Sequence, residues 1–332
     1  MTSITQTHAR ILELFKNAPE AFISGPELAS RTGVSRTAVW KAVHALRRLG
    51  YEIDSHPRHG YRLVRVPEAL IPEEMLPLLQ TSWLARTYHH QTTAASTNDL
   101  AIQMAARGAP HGTVVAVETQ TAGRGRLHRP WLSAAGKGLT FSAVLRPDLS
   151  PQAAPQITLV AAAAIAKTLR SIYGLNAAIK WPNDVLIHGK KAVGILTEMQ
   201  CDPDRVRFLV TGIGINVNET AAELPSRTRY PATSIALELG GPVNRKQLFA
   251  VILHSLENEW DRYFSGRFNE LLEELEGLSA VLGRRIEVDC SGEVLRGVAQ
   301  GFTPQGALRI LSDDGNETVI WVGDVTQVLT FH

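Results

Sequence analysis

Residues 120–131 read QTAGRGRLHRPW, from Gln120 to Trp131, and three arginines and two glycines lie between Gly123 and Arg129. The stretch joins two runs of β character, residues 113–118 and 139–145. Glycine permits positive φ and close backbone approach, as a loop wrapped around an anion requires. Arginine presents a planar fork of donors that matches carboxylate and phosphate oxygens. Alone, the loop reads as an anion clamp over a nucleotide or activated acid, as a solvated basic connector, or as part of a nucleic-acid surface. The rest of the chain has to decide.

A chain of 332 residues has room for two or three domains. Hydrophobic residues make up 44% and charged residues 20%, the balance of a soluble globular protein. Cys201 and Cys290 form neither a disulfide framework nor zinc-ligand spacing, and fit a reducing cytoplasm. The first twenty residues lack a signal-peptide apolar core. The longest apolar run, residues 159–166, is too short to cross a bilayer, so no membrane role is expected. Residues 1–66 hold ten Lys/Arg and five Asp/Glu, a charge of +5 against +2 for the whole chain, which leaves −3 for the remainder. A basic N-terminal segment on a mildly acidic body points to an anionic partner for that segment alone.

In that segment Ile11, Leu14 and Phe15 have helical spacing. Ser24 and Glu27 form a capping-box pattern for a second helix through Ala29, and Gly33 follows. Ser35 caps a third helix to Leu49, with Gly50 as its stop. A short helix, a glycine turn and a longer helix make a helix-turn-helix. Val39, Ala42, Val43, Leu46 and Leu49 form the core stripe, while Ser35, Arg36, Thr37, Trp40, Lys41 and His44 belong to a face suited to phosphates and base edges. Residues 51–53 and 61–63 alternate as two strands of a wing whose turn carries Arg58. The segment reads as a DNA-binding winged helix over a protein-interaction bundle. Val66 to Pro72 reads as a linker.

The central region alternates strands and helices. Strands are expected near residues 87–91, 113–118, 139–145, 179–181, 185–188, 192–198 and 205–213, with helices over 97–107, 155–173, 244–264 and 270–276. Helices over a largely antiparallel sheet give an α+β layer architecture. Neither a G-x-G-x-x-G fingerprint after a first strand nor a G-K-[ST] loop occurs, which argues against Rossmann and P-loop nucleotide sites. Lys180-Trp181-Pro182-Asn183-Asp184 precedes a turn at Gly189 and then Lys191-Ala192-Val193-Gly194. A hairpin of that length places Asp184 and Lys191 on neighbouring strands, facing one pocket or pairing as an ordinary surface turn. Gly212-Ile213-Gly214-Ile215-Asn216 alternates glycines, which either leave room for a ligand over the strand or mark a bulge.

Together with Ser96-Thr97-Asn98 and with Gln120 ahead of Gly123-Arg124-Gly125-Arg126, these motifs in this order resemble the biotin–protein ligases, of the long kind that also repress the biotin operon. The resemblance covers the whole chain, and the two basic motifs at this separation are its specific part. It implies a multidomain α+β protein: a winged helix-turn-helix at 1–66, a class II synthetase-like catalytic domain at 67–278, and an SH3-like β-barrel at 279–332. It implies biotin and ATP as substrates with Mg²⁺, and biotin carboxyl carrier protein, operator DNA and a homodimer formed on adenylate binding as partners. By family match Ser96, Thr97, Asn98, Gln120, Gly123, Gly125, Gly212 and Gly214 line the biotin site. Arg124, Arg126 and Lys191 supply positive charge there. Asn183, Asn216 and Trp131 line the nucleotide side, and Asp184 binds the metal or orients the acceptor amine. The resemblance departs at His128, where the family has a glycine, and at His59, where a lysine is frequent. A bulky His128 is expected to restrict φ and change how the loop orders, so Arg129 is left unassigned.

Beyond Gly283, residues 285–288, 295–299, 307–310 and 318–321 alternate as short strands, with turns at Ser291-Gly292, Pro304-Gln305-Gly306 and Asp313-Asp314-Gly315-Asn316. The competing functions are a ligand-sensing transcription factor without catalysis, a ligase whose winged helix no longer represses, and a lipoate or octanoate transferase on a related fold.

Overall fold

A sheet strand exposes alternate side chains on opposite faces, and that alternation decides where the chemistry lies in this chain. The computed structural model describes residues 6–226, 230–290 and 292–329; Ser291, expected in a turn, lies outside the described residues. The chain divides into two units, Met1–Ala69 and Leu70–His332.

The first unit holds α1 (Gln6–Lys16), α2 (Gly25–Thr32), α3 (Arg36–Arg48) and the hairpin β1 (Glu52–His56) with β2 (Gly60–Arg65). Ser24 Oγ accepts from the Glu27 N–H at 3.2 Å, and Ser35 Oγ accepts from Ala38 N–H at 3.2 Å. Only half of the expected capping box forms, because the Glu27 carboxylate turns to Arg31 at 3.3 Å. α2 continues past Ala29 to Thr32, where Gly33 supplies the left-handed cap at φ 72°. Ile11, Leu12, Phe15, Leu28, Val39, Ala42, Val43 and Leu46 are buried, whereas the expected core residues Leu14 and Leu49 are half-buried. The wing is tied to the segment before α2 by paired backbone bonds between Ile23 and Tyr61 at 2.8 and 2.9 Å. Gly60, at φ 97°, is required there, since a Cβ would collide with the Ile23 carbonyl.

The second unit runs α4 (Pro72–Met75), β3 (Tyr88–Ala94), α5 (Thr97–Ala106), β4 (Val114–Gln120), β5 (Leu139–Leu145), α6 (Ala154–Tyr173), β6 (Ala177–Lys180), β7 (Asp184–Ile187), β8 (Lys190–Cys201), β9 (Val206–Ile215), α7 (Ile235–Leu239), α8 (Arg245–Phe264) and α9 (Phe268–Gly277). The seven central strands are ordered β3-β4-β5-β9-β8-β7-β6, and only the β3–β4 pair is parallel. One face, with Phe141, Ala143, Leu209, Ile213, Val193, Ile195, Val185 and Ile187, packs into the main core with α6 and α8. Phe141 meets Phe249 of α8 at 4.8 Å between ring centroids. The other face packs Val115, Val144, Phe208 and Val210 against Ala101 and Ala105 of α5. α5 covers only part of that face, so the remainder is open.

A further sheet, β10 (Arg285–Cys290), β11 (Glu293–Phe302), β12 (Leu308–Ser312), β13 (Glu317–Ile320) and β14 (Asp324–Leu329), is antiparallel in the order β13-β12-β11-β10-β14. Its first four strands are those expected; β14 is an addition. Irregular register near Glu287 and near Ala299 bends the sheet, and β13 and β14 remain its edges.

Glu118 fastens the underside of the sheet. Its carboxylate accepts from Leu70 N–H at 2.7 Å and Arg245 at 2.8 Å, and lies 2.9 Å from His90 Nε2. Burial alone would raise this carboxyl, but His90, Arg245 and the Leu70 N–H outweigh it and bring it from 4.5 down to about 2. A depressed carboxylate contributes stability above its unfolded value and loses that contribution as pH falls through the folded one. Glu118→Gln is therefore expected to lower the Tm at neutral pH, with the gap to wild type closing between pH 4.5 and 2. Urea titrations across that range check this; a gap independent of pH would refute it.

Candidate functional site

On the open face, register aligns one residue from each of five strands. Thr140 pairs with Gly214, Gly214 with Gly194, Gly194 with Asp184, and Asp184 with Lys180. The next row holds Ser142, Gly212 and Leu196. The glycines make a floor without Cβ atoms under a cleft open to solvent. That floor is not bare. A Cβ on Gly214 would collide with the Trp131 indole, one on Gly194 would come within 2.8 Å of the same ring, and one on Gly212 would collide with the Asn98 amide. The alternate glycines thus admit two side chains close to the sheet, and those side chains line the cleft in turn.

The loop after β4 folds back over this floor. Gly123 lies where it crosses itself, with a Cβ there only 2.6 Å from Gln120 Nε2 and the Trp131 carbonyl. The Trp131 N–H donates to Gly123 O at 2.9 Å, and the Gly125 N–H to Arg129 O at 2.7 Å. Leu127 and His128 both have φ 54°. The bulky His128 keeps a left-handed backbone of the kind glycine favours; histidine is among the side chains that enter this region more often than most.

The three arginines go to different places. Arg124 makes a two-pronged bond to Asp99, at 2.6 and 2.9 Å, and also reaches Glu198 at 3.1 Å. Hydrogen bonding to Asp99 leads the effects that raise its pKa. Arg126 donates to the Gly323 carbonyl at 2.9 Å, and Arg129 pairs with Asp324. Burial lowers the Arg126 pKa, opposed by Asp324 and Asp184. Arg126 thus has a neutral hydrogen-bond partner, whereas Arg124 is neutralised by carboxylates.

Asp324 continues a chain of alternating charge. Lys180 Nζ lies 3.3 Å from Asp324 and 3.2 Å from Asp184, and Lys191 Nζ lies 2.6 Å from Asp184. Lys180 is 3% exposed, and it also donates to the Val325 carbonyl at 3.0 Å. Burial would raise the Asp324 carboxyl, but Lys180 and Arg129 hold it below its ordinary value. The expected partnership of Asp184 and Lys191 across a hairpin is present, and Lys191 Nζ also lies 5.7 Å from the Trp131 ring centroid.

Polar side chains close the far end. Ser96 occupies the N-cap of α5, yet its hydroxyl makes no capping bond and it lines the cleft. Gln120 Oε1 accepts from the Thr97 N–H at 2.8 Å, which leaves its NH₂ as a donor. Asn98 Nδ2 donates to Glu198 at 2.6 Å, so its Oδ1 faces Ser142 Oγ at 2.6 Å. Asn183 lines the cleft and donates to Ile195 O at 2.9 Å. Gly123 and Asn216 stand apart from the lining. The Asn216 amide instead donates to Thr233 O at 2.9 Å. Asp99, Ser142, Glu198 and Asp324 belong to the constellation and were absent from the sequence-based set. Glu198 had a signal, being two and four residues beyond Leu196 and Gly194 on one strand face.

Among the described residues, no three His, Cys, Asp or Glu side chains cluster as metal ligands. Asp184 Oδ1 is buried and faces Lys191 Nζ at 2.6 Å, while Oδ2 faces Lys180 Nζ at 3.2 Å. A lone carboxylate shared with two lysines does not make an all-protein metal cage, and could hold a Mg²⁺ ion only as one ligand among phosphate oxygens.

In the first unit, Ser35, Arg36, Thr37, Trp40 and Lys41 are exposed along α3, and the His44 ring lies 4.2 Å from Trp40. Arg58 is exposed at the wing turn. Arg62 and Arg65 pair with Asp54 and Glu52, so the wing's unpaired positive charge is at Arg58 among the described residues.

Residues 90–218 match the biotin/lipoate A/B protein ligase family, and residues 7–62 match a helix-turn-helix domain. The chain is 38% identical over 305 residues to the bifunctional ligase/repressor BirA of Bacillus subtilis, spanning 92% of this chain and 94% of that one. The chain belongs to the bifunctional biotin ligase/repressor family. Within and around that family, it is 32% identical over 240 residues to the biotin–[acetyl-CoA-carboxylase] ligase of Mycobacterium tuberculosis, covering 70% of this chain and 86% of the relative. A biotin protein ligase from Aquifex aeolicus in complex with biotin and ATP superposes with a TM-score of 0.62 at 27% identity, covering 72% and 97% of the two chains. Like the Bacillus relative, it is an enzyme of biotin–protein ligation joined to a helix-turn-helix repressor unit. No helix among the described residues is long and apolar enough to cross a membrane.

Gly214→Ala should push Trp131 off the floor while leaving the sheet intact, because the collision is with a side chain. Calorimetry is expected to show ligand affinity reduced by about five- to 150-fold, at a near-unchanged Tm, for an indole losing stacking of ~1–3 kcal/mol. Unchanged affinity would mean Trp131 takes no part in binding.

Proposed function

We propose that the cleft activates biotin with ATP and hands it to a protein lysine. Biotin's carboxylate attacks the α-phosphorus, the bond to the pyrophosphate oxygen breaks, and biotinyl-5′-adenylate forms. The amine of a lysine on biotin carboxyl carrier protein then attacks the acyl carbon and AMP leaves. The observation that carries this reading is the placing of Arg126 and Lys191 over a glycine floor, beside a polar pocket made by Ser96, Thr97 and Gln120.

The first step brings two anions together and needs fixed positive charge where negative charge collects. Arg126 and Lys191 supply it. Ser96 and Gln120, with a free hydroxyl and a free NH₂, hold the ureido end. Trp131 offers a face to the base, with Asn183 nearby. Asp184 would be the protein ligand of a Mg²⁺ ion, which would supply further positive charge against the triphosphate. The acceptor lysine titrates near about 10.4 in water. Proximity to Arg126, Lys180 and Lys191 lowers that value and favours the neutral nucleophile. Arg129 and Arg126 hold the loop against β14 and keep water from the mixed anhydride. The catalytic region at 67–278 and the strands from 279 onward work as one site, since the entry to β14 supplies Gly323 and Asp324.

The first unit reads operator DNA through α3 and the wing. The adenylate acts as corepressor by promoting a homodimer, and this happens in the cytoplasm. Purified protein with biotin, Mg-ATP and carrier domain should incorporate one biotin per carrier, and lipoate should not compete. Failure to incorporate biotin would leave a sensor without catalysis. Arg126→Gly is expected to release adenylate and label bystander proteins; retention as tight as wild type would remove its gating role. Biotin plus ATP should drive both dimerisation and a gel shift on the biotin-gene promoter, with affinity falling as salt rises. Sedimentation without a ligand-dependent dimer would contradict that coupling.

A further inference from the structure

Arg124 stands in the loop expected to clamp phosphate, yet its guanidinium is already engaged. Both Nη atoms face Asp99, and Nη2 also faces Glu198. Two carboxylates on one guanidinium leave that corner with no surplus positive charge to offer an incoming phosphate. Arg126, in contrast, spends only one contact, on a neutral carbonyl. The two arginines are chemically alike and only two residues apart, but their partners give them different work.

The partners of Arg124 reach further. Asp99 is in the first turn of α5, where a carboxylate is favoured by the helix N-terminus. Glu198 faces the open side of β8, and its Oε2 accepts from Asn98 Nδ2. The Leu196 carbonyl also accepts from Nδ2, at 3.2 Å, so the Asn98 amide is fixed in one orientation. Its Oδ1 can then only accept, which makes Ser142 the donor to it. Ser142 Oγ then accepts from Thr97 Oγ1 at 2.8 Å. Oγ1 has a single proton, so its 3.2 Å approach to Gln120 Oε1 is left without one. Gln120 Oε1 still takes the Thr97 N–H, and the NH₂ of Gln120 points elsewhere.

We propose that Asp99 and Glu198 are positioning residues that clasp Arg124, fixing the entry to the loop and setting the donor and acceptor pattern of the pocket through Asn98, Ser142 and Thr97. Arg124 is then a structural clasp, and the charge for adenylate formation comes from Arg126 and Lys191. This rests on the ligase reading above. A clasp acts on how well biotin and its adenylate are held, and leaves the chemical step alone once the site is full.

The test uses the full chain and three variants, Asp99→Asn, Arg124→Gln and the double substitution, with melting curves to confirm folding. Loss of a charge-assisted bond is expected to raise the KM for biotin by about tenfold in each single variant. Adenylate release should quicken by a similar factor, and the single-turnover rate of pyrophosphate release at saturating biotin and ATP should stay within about twofold of wild type. The double variant should be no worse than the poorer single one, because either change opens the same clasp. Asp99→Glu should recover part of the loss. The inference is overturned if Arg124→Gln slows pyrophosphate release at saturation while Asp99→Asn leaves KM unchanged, or if the two effects multiply. Should Asp99→Asn fail to fold, Glu198→Gln serves in its place under the same criteria. Wild-type pyrophosphate release in the same assay separates the two claims: its absence refutes the ligase reading, whereas multiplying effects beside an active wild type refute only the clasp.

Discussion

The register of the central sheet is the constraint on which the site depends. Thr140, Gly214, Gly194, Asp184 and Lys180 share one transverse row across β5, β9, β8, β7 and β6. A slip of one residue in any strand would exchange its two faces. It would bring Ile213 or Ile195 onto the floor and turn Asp184 into the core. The apolar partners of these residues, Val185, Val193, Ile195 and Ile213, are all 2% exposed or less and hold the row in place. Core packing on one face therefore specifies the chemistry on the other.

From that row a chain of alternating charge runs outward: Lys191, Asp184, Lys180, Asp324, Arg129. Its middle members are almost fully enclosed. Removing one partner from a buried pair leaves an uncompensated charge, at a cost of about 3–5 kcal/mol. The chain joins three strands of the central sheet to β14 and to the loop after β4. The C-terminal sheet is thereby part of the site, and its Asp324 adds a second counter-charge to Lys180 beside Asp184 and pairs with Arg129.

Much of this was legible beforehand. Helix caps at Ser24 and Ser35, the glycine after α2, and the strand alternation gave the winged helix and nearly all central elements, because local signals set local structure. The motifs around Arg126, Asp184 and Lys191 were legible as chemistry. What escaped was partnership over long separation. Nothing near Asp324 marks it as a partner of Lys180, 144 residues away, and the sequence around Arg124 does not reveal that Asp99 neutralises it. Gly212 and Gly214 were read as space for a ligand; the space admits Asn98 and Trp131, which a strand pattern cannot name. Asn216 was grouped with the nucleotide side, but its amide is taken by the Thr233 carbonyl.

The two consecutive left-handed residues, Leu127 and His128, have an energetic meaning. Each non-glycine side chain at φ 54° costs on the order of 1 kcal/mol, and Leu127, at 63% exposed, gains little packing in return. The bend is sustained by the arginines on either side of it. Such a loop is a wound spring held by polar catches. When the catches are released, relaxation of the two residues returns part of that cost, and little apolar packing at Leu127 has to be broken for the bend to open.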